Sequence, residues 1–188
     1  YVNSPETVLY NKSKILYGYD RAKREIMKEN FCVIVEGQMD LLMAHQAGTV
    51  NSVAVSGTAL TEAHIRMIKR FTDKILMSFD ADEAGLKAGE RGVGLALASD
   101  MDVRMVGMPK GLDPADVILK DPALWNKSLQ SSKHIVDFLL DHFQEKGRAS
   151  MDGARHDSAE SDERSYQREI EKNVLKYVAD ISNKIDQA

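Results

Sequence analysis

The sequence predicts an α/β domain, a mostly parallel sheet flanked by helices, followed by a C-terminal helical subdomain. Three observations carry this. Short apolar runs alternate with helical patterns over residues 31–109, which is the signature of βαβ units. Each run is rich in aliphatic residues and stops at Gly, Pro, Asp or Glu, as buried parallel strands do. After Gly111 the strand-like runs cease and helical spacing takes over.

Residues 1–12 read as extended or looped, punctuated by Pro5 and by Asn, Ser and Thr. Ile15, Leu16, Tyr19, Ala22 and Ile26 recur at three- and four-residue spacing and predict a helix from Lys14 to Lys28. A strand is expected at 31–35, then a helix from Gln38 to Ala47 closed by Gly48. A second strand spans Ser52 to Val55. Thr61 is a suitable N-cap for a helix reaching Arg70. A strand at 74–79 leads into an acidic loop, a helix from Glu83 to Ala98, and a strand from Val103 to Met108. Asp113-Pro114 opens a short helix, because proline suits a helix's first turn. Further helices are expected from Pro122 and over His134–Gln144. Residues 146–164 are small and polar and read as a mobile loop. Tyr166 to Ile185 forms a last amphipathic pattern. The expected divisions are 1–29, 30–120 and 121–188.

A chain of 188 residues, 43% apolar and 29% charged, has ordinary globular composition. No apolar run is long enough for a membrane helix. The start lacks a secretory pattern and a Met, so a piece of a longer protein is expected. The single Cys32 lies in an apolar strand, where an inert buried thiol fits a reducing cytoplasm. The five His residues are scattered without zinc-ligand spacing and read as surface or helix-face residues. A net charge of −4 argues against indiscriminate nucleic-acid binding. The basic stretch 12–28 is either a solvated helix face or a phosphate-contacting patch.

Four features bear chemistry. Glu36-Gly37 ends the first strand, and Asp80-x-Asp82 ends the third. Ligands of open α/β sheets bind beyond the strands' carboxyl ends, so these carboxylates are expected at one edge. Clustered carboxylates resist joint ionisation, and a divalent cation relieves this; an all-oxygen set favours Mg2+ or Mn2+ over zinc. Each piece also has a plainer reading: a turn at Glu36-Gly37, a helix cap at Asp82. Asp113-Pro114-Ala115-Asp116 reads as a helix start, a role compatible with metal binding. Ser56-Gly57-Thr58 is a small turn whose N–H groups could meet a phosphate, or simply a βα connection.

The order of these motifs resembles the Toprim domain of topoisomerases and primases, and most closely the RNA polymerase domain of bacterial DnaG-type DNA primases. The resembling stretches are NSPET at 3–7, NKSKILYG at 11–18, VEGQMD at 35–40, SGTALT at 56–61, FDADEAGLKAGER at 79–91 and GLDPADVI at 111–118. The resemblance implies a Toprim-type sheet over 30–120. It also implies that 1–29 ends an N-terminal polymerase subdomain with a linking helix, and that 121–188 is the helical subdomain.

The resemblance assigns Glu36, Asp80 and Asp82 to catalysis. With Asp113 these would hold Mg2+ or Mn2+. Lys12, Lys14, Ser56 and Gly57 would meet nucleotide or nucleic-acid phosphate, and Asp40, Asp116 and Lys87 are weaker carry-overs. Two departures stand out. Ala115 occupies the second acidic place of the family's Asp-Pro-Asp, and Ala81 replaces the Gly of its Asp-Gly-Asp loop.

The implied activity is DNA-templated synthesis of short RNA primers for replication, by metal-dependent nucleotidyl transfer. Its implied partners are a single-stranded DNA template and ribonucleoside triphosphates. The replicative helicase would be met through a C-terminal module not present here, and zinc belongs to an N-terminal module outside this chain. A cytoplasmic bacterial monomer is expected, and the isolated piece is expected to prime poorly. The same acidic site would serve a Toprim nuclease or topoisomerase, or a non-catalytic Toprim binding module. A receiver-type α/β domain fits less well, because its acids form an adjacent pair after the first strand.

Overall fold

The computed structural model describes residues 5–7, 10–79, 83–109, 111–142, 144, 174, 175 and 177; for 83–90 the backbone alone is described. The chain divides into two units, Tyr1–Ser132 and Lys133–Ala188.

In the first unit a 3-10 turn at Lys12–Lys14 precedes α1 (Tyr19–Glu29). Then come β1 (Cys32–Val35), α2 (Gln38–Gln46), β2 (Ser52–Ala54), α3 (Glu62–Lys69) and β3 (Lys74–Ser78). After these follow α4 (Glu83–Ala98), β4 (Asp102–Met105), α5 (Pro114–Lys120) and α6 (Pro122–Gln130). The four strands run in the order β2-β1-β3-β4, and the β1–β2, β1–β3 and β3–β4 pairs are all parallel. Val35 aligns with Ala54 on one side and Ser78 on the other, so the three strands end level. The chain turns outward from β1 to β2 and then crosses back to β3. The order of connection therefore reverses between β1 and β3, the place where such sheets open a crevice for ligands.

All four residues of β1 are fully buried, which explains why this strand is apolar throughout instead of alternating. Cys32 is among them, and burial pushes its thiol pKa far up. A core of Val33, Val35, Leu41, Ala54, Val117 and Trp125 joins the sheet to α2, α5 and α6. The lone Trp125 is fully buried and its Nε1–H donates to Thr49 Oγ1 at 2.8 Å, satisfying its one polar group.

The helix expected from Lys14 begins later, at Tyr19. Gly18 adopts φ 79, outside the helical region, and Tyr17 exchanges backbone hydrogen bonds with Ala54 at 2.9 and 3.1 Å. That antiparallel bridge caps the free edge of β2. The apolar spacing of Ile15 and Leu16 is thus met by an extended segment, in which Leu16 alone is buried. The last strand is also shorter than expected, ending at Met105, with Val106 adding one more bond to Met77 O at 2.9 Å. Gly48 closes α2 at φ 90 as its position predicted.

In the second unit, Lys133–His134 is a short strand β5 and residues 135–142 are helical. The loop 146–164, and all of the last amphipathic pattern except residues 174, 175 and 177, lie outside the described residues. Among the described residues, no helix is long and apolar enough to cross a membrane.

Candidate active site at the carboxyl edge of the sheet

A cleft of about 280 Å3 opens at the carboxyl edge, lined by Glu36, Val55, Gly57, Thr58, Ala59, Leu60 and Phe79. These are the residues just past β1, the β2–α3 connection and the residue just past β3. The switch point of the topology and the cleft coincide. Glu36 is exposed at its rim. Phe79 is the residue immediately before Asp80-x-Asp82 in the sequence; Asp80 and Asp82 themselves lie outside the described residues. Lys87 belongs to α4, in the stretch whose side chains lie outside them too.

Ser56 and Gly57 take φ values of 54 and 73, two successive left-handed residues that bend the connection sharply away from the sheet. Ser56 N–H donates to Glu36 O at 3.0 Å, tying this bend to the end of β1. The Ser56 and Ser78 hydroxyls are buried without a hydrogen-bond partner among the described residues. Ser78 ends β3 and Ser56 follows β2 by two residues; neither hydroxyl is accessible from the cleft.

Asp113 is exposed and caps α5, its Oδ1 accepting the Asp116 N–H at 2.7 Å. Capping occupies one carboxylate oxygen of two, so the cap and a metal-ligating role are compatible. Asp116 is exposed on the first turn of the same helix. Asp40 has a different place. It is buried on the first turn of α2, with Oδ2 accepting the Gly37 N–H at 3.0 Å and Oδ1 the Ala115 N–H at 3.2 Å. It joins the Glu36-Gly37 turn to the Asp113-Pro114 turn. Ala115 takes part through its backbone, so this junction does not require an acidic residue there.

Among the described residues, no group of three or more His, Cys, Asp or Glu is poised to hold a metal. Glu36 follows β1, and Asp113 is tied to the same turn through Asp40, so both carry hard oxygen donors there. This donor chemistry fits Mg2+ or Mn2+, which take oxygen ligands and retain water.

One buried polar residue close to the cleft-lining segment escaped the sequence reading. His64 is fully buried rather than solvated. Its Nδ1 accepts the Thr61 N–H at 3.4 Å, and its Nε2 lies 3.0 Å from Lys12 O. Thr61 Oγ1 accepts the His64 N–H at 3.2 Å and donates to Ser13 O at 2.7 Å. His64 stands three residues after the N-cap, where a Glu or Gln would complete a capping box. That spacing is the one sequence cue that could have marked it.

A family model described as Toprim-like matches residues 33–118, which span the sheet and the cleft. The DNA primase of Campylobacter jejuni is 43% identical over 121 residues, covering 64% of this chain and 20% of that protein. The DNA primase of Rickettsia conorii is 33% identical over 179 residues, 94% of this chain and 30% of that protein. The chain thus spans less than a third of the length of these relatives. Among solved structures, the RNA polymerase domain of Mycobacterium tuberculosis primase DnaG in complex with double-stranded DNA is 32% identical, with a TM-score of 0.67. That match covers 96% of this chain and 55% of the other. With its Toprim-like core, its carboxyl-edge cleft and these relatives, the chain belongs to the bacterial DnaG-type DNA primases, within the RNA polymerase domain.

Proposed function

We propose that this chain forms the metal-dependent catalytic part of a primase that builds short RNA primers on single-stranded DNA from ribonucleoside triphosphates. The observation that carries the reading is the cleft at the β1–β3 switch point. Glu36 stands on its rim, and the Asp80-x-Asp82 motif follows directly from Phe79 in its wall. The primase relatives support it, and so does the DNA-bound state of the Mycobacterium tuberculosis domain.

In this reading Glu36, Asp80, Asp82 and Asp113 hold Mg2+ or Mn2+. The metal, when bound, lowers the pKa of an attacking hydroxyl and stabilises charge on the phosphoryl oxygens. The chain's own residues do the rest. Alternatively to ligating metal, Glu36 relays a proton at the cleft rim. The bend at Ser56-Gly57 offers backbone N–H groups to phosphate oxygens, while Lys12 and Lys14 add positive charge. The apolar wall of Val55, Leu60 and Phe79 limits water around the reacting groups. Contact with the template is through phosphate, so it weakens steeply with salt.

The test is calorimetric titration of Mg2+ and Mn2+, with and without ATP, on this chain and on its Asp80→Asn/Asp82→Asn variant. Metal-dependent ATP binding that disappears in the variant supports the reading. Equal metal-dependent binding by both proteins would sink it.

A further inference from the structure

The 3-10 turn Lys12–Lys14 buries none of its side chains. No apolar anchor of its own therefore fixes it, yet it carries the two lysines proposed above to meet phosphate. What holds it is polar and comes from α3. Lys12 O faces His64 Nε2 at 3.0 Å, and Ser13 O accepts the Thr61 hydroxyl at 2.7 Å. The tautomer of His64 follows from its other nitrogen. Nδ1 accepts the Thr61 N–H, so the ring proton sits on Nε2 and is donated to Lys12 O.

Two further ties complete the attachment. Asn11 Oδ1 accepts the Ser13 N–H at 3.0 Å, and Tyr17 pairs with Ala54 on the edge of β2. Thr61 directly follows Gly57–Leu60, the stretch that lines the cleft. The same short segment therefore forms the cleft wall and grips the basic turn.

We infer that His64, together with Thr61, is a positioning residue that sets the Lys12–Lys14 turn against the cleft so that both lysines engage the phosphates of a nucleic-acid strand. The inference rests on the phosphate role proposed above for these lysines. His64 itself touches no phosphate. It acts by fixing a main-chain carbonyl, and without it the lysines remain but no longer act together. The change His64→Gln keeps a donor close to the position of Nε2, whereas His64→Ala removes it.

The test is equilibrium binding of an oligo-dT probe to this chain as a function of salt. Each phosphate contact on a single strand contributes about 0.7 to the slope of log affinity against log salt. Lys12→Ala/Lys14→Ala should therefore lower the slope by about 1.4. His64→Ala should lower it toward the same value although both lysines are present, and His64→Gln should restore most of it. Thr61→Val, a milder change, should fall between. Cooperative thermal unfolding and Trp125 fluorescence show whether each variant is folded. If His64→Ala does not fold, Thr61→Val and His64→Gln decide the matter. A wild-type slope in the folded His64→Ala and Thr61→Val variants, beside a reduced slope in the double lysine variant, overturns the inference alone. A wild-type slope in the double lysine variant overturns the phosphate role of the lysines and the inference with it.

Discussion

The carboxylate of Asp40 accepts the backbone N–H of Ala115 at 3.2 Å, across 75 residues of sequence. Its other oxygen accepts the Gly37 N–H at 3.0 Å. A single buried side chain thus fixes the spacing between Glu36, which precedes Gly37, and Asp113, which precedes Pro114. Two carboxylates proposed to share a metal are held in register by a third that works through backbone.

Asp40→Asn retains one acceptor oxygen but turns the other end into a donor facing an N–H. One backbone donor then loses its partner in a buried place, which costs about 1–3 kcal/mol. The expected outcome is a lower urea midpoint with an unchanged slope, and weaker metal-dependent nucleotide binding than in the intact chain. Denaturation followed by Trp125 fluorescence, with calorimetry on the folded variant, checks both.

Gly37 is required for space rather than for backbone freedom. Its φ of −99 and ψ of 156 suit any residue, but an added Cβ would lie 2.7 Å from Asp40 Oδ2. Gly37→Ala should push the carboxylate off the Gly37 N–H and destabilise the chain by about 1–3 kcal/mol, in the range of overpacking. Combining it with Asp40→Ala removes the clash. The double variant should therefore lose less than the sum of the two single changes, and a double-mutant cycle measures this. Strict additivity would rule out the steric account.

Burial holds the pKa of His64 below its ordinary 6.5, against the opposing pull of backbone hydrogen bonds at Lys12 and Ile15. Charged groups on the turn and on α3 itself are Lys12 and Lys14, and Glu62, Arg66 and Lys69. A folded-state pKa below the unfolded one means the unfolded chain binds the proton more readily. The contribution of neutral His64 is therefore complete above 6.5 and is lost as pH falls toward the lower folded value. Protonation would also set an Nδ1–H against the Thr61 N–H. Urea midpoints should fall more steeply below that pH in the intact chain than in His64→Gln. Parallel profiles for the two proteins would refute this.

Much of the fold was legible because its signals are local. β1 and β3 are apolar runs ended by acids, Gly48 and Thr61 stop and start helices, and Asp113-Pro114 opens α5. Glu36 at the cleft rim was legible for the same reason, since it directly follows β1. The first helix was misjudged because Ile15 and Leu16 have helical spacing while Gly18 and the Tyr17–Ala54 bridge enforce an extended path. A bridge between residues so far apart in the chain leaves no periodic trace.

The sequence by itself determined the alternation of strands and helices, the place of Glu36 just past β1 and that of Asp113 as the cap of α5. These follow from side-chain size, polarity and spacing along the chain. The tertiary structure alone decided that Asp40 serves Ala115 and Gly37, that His64 is buried against Lys12 O, and that Trp125 of α6 closes on Thr49. Each of these is a polar group whose cost of burial is met only by a partner from a distant segment, and such pairs exist only once the chain has folded.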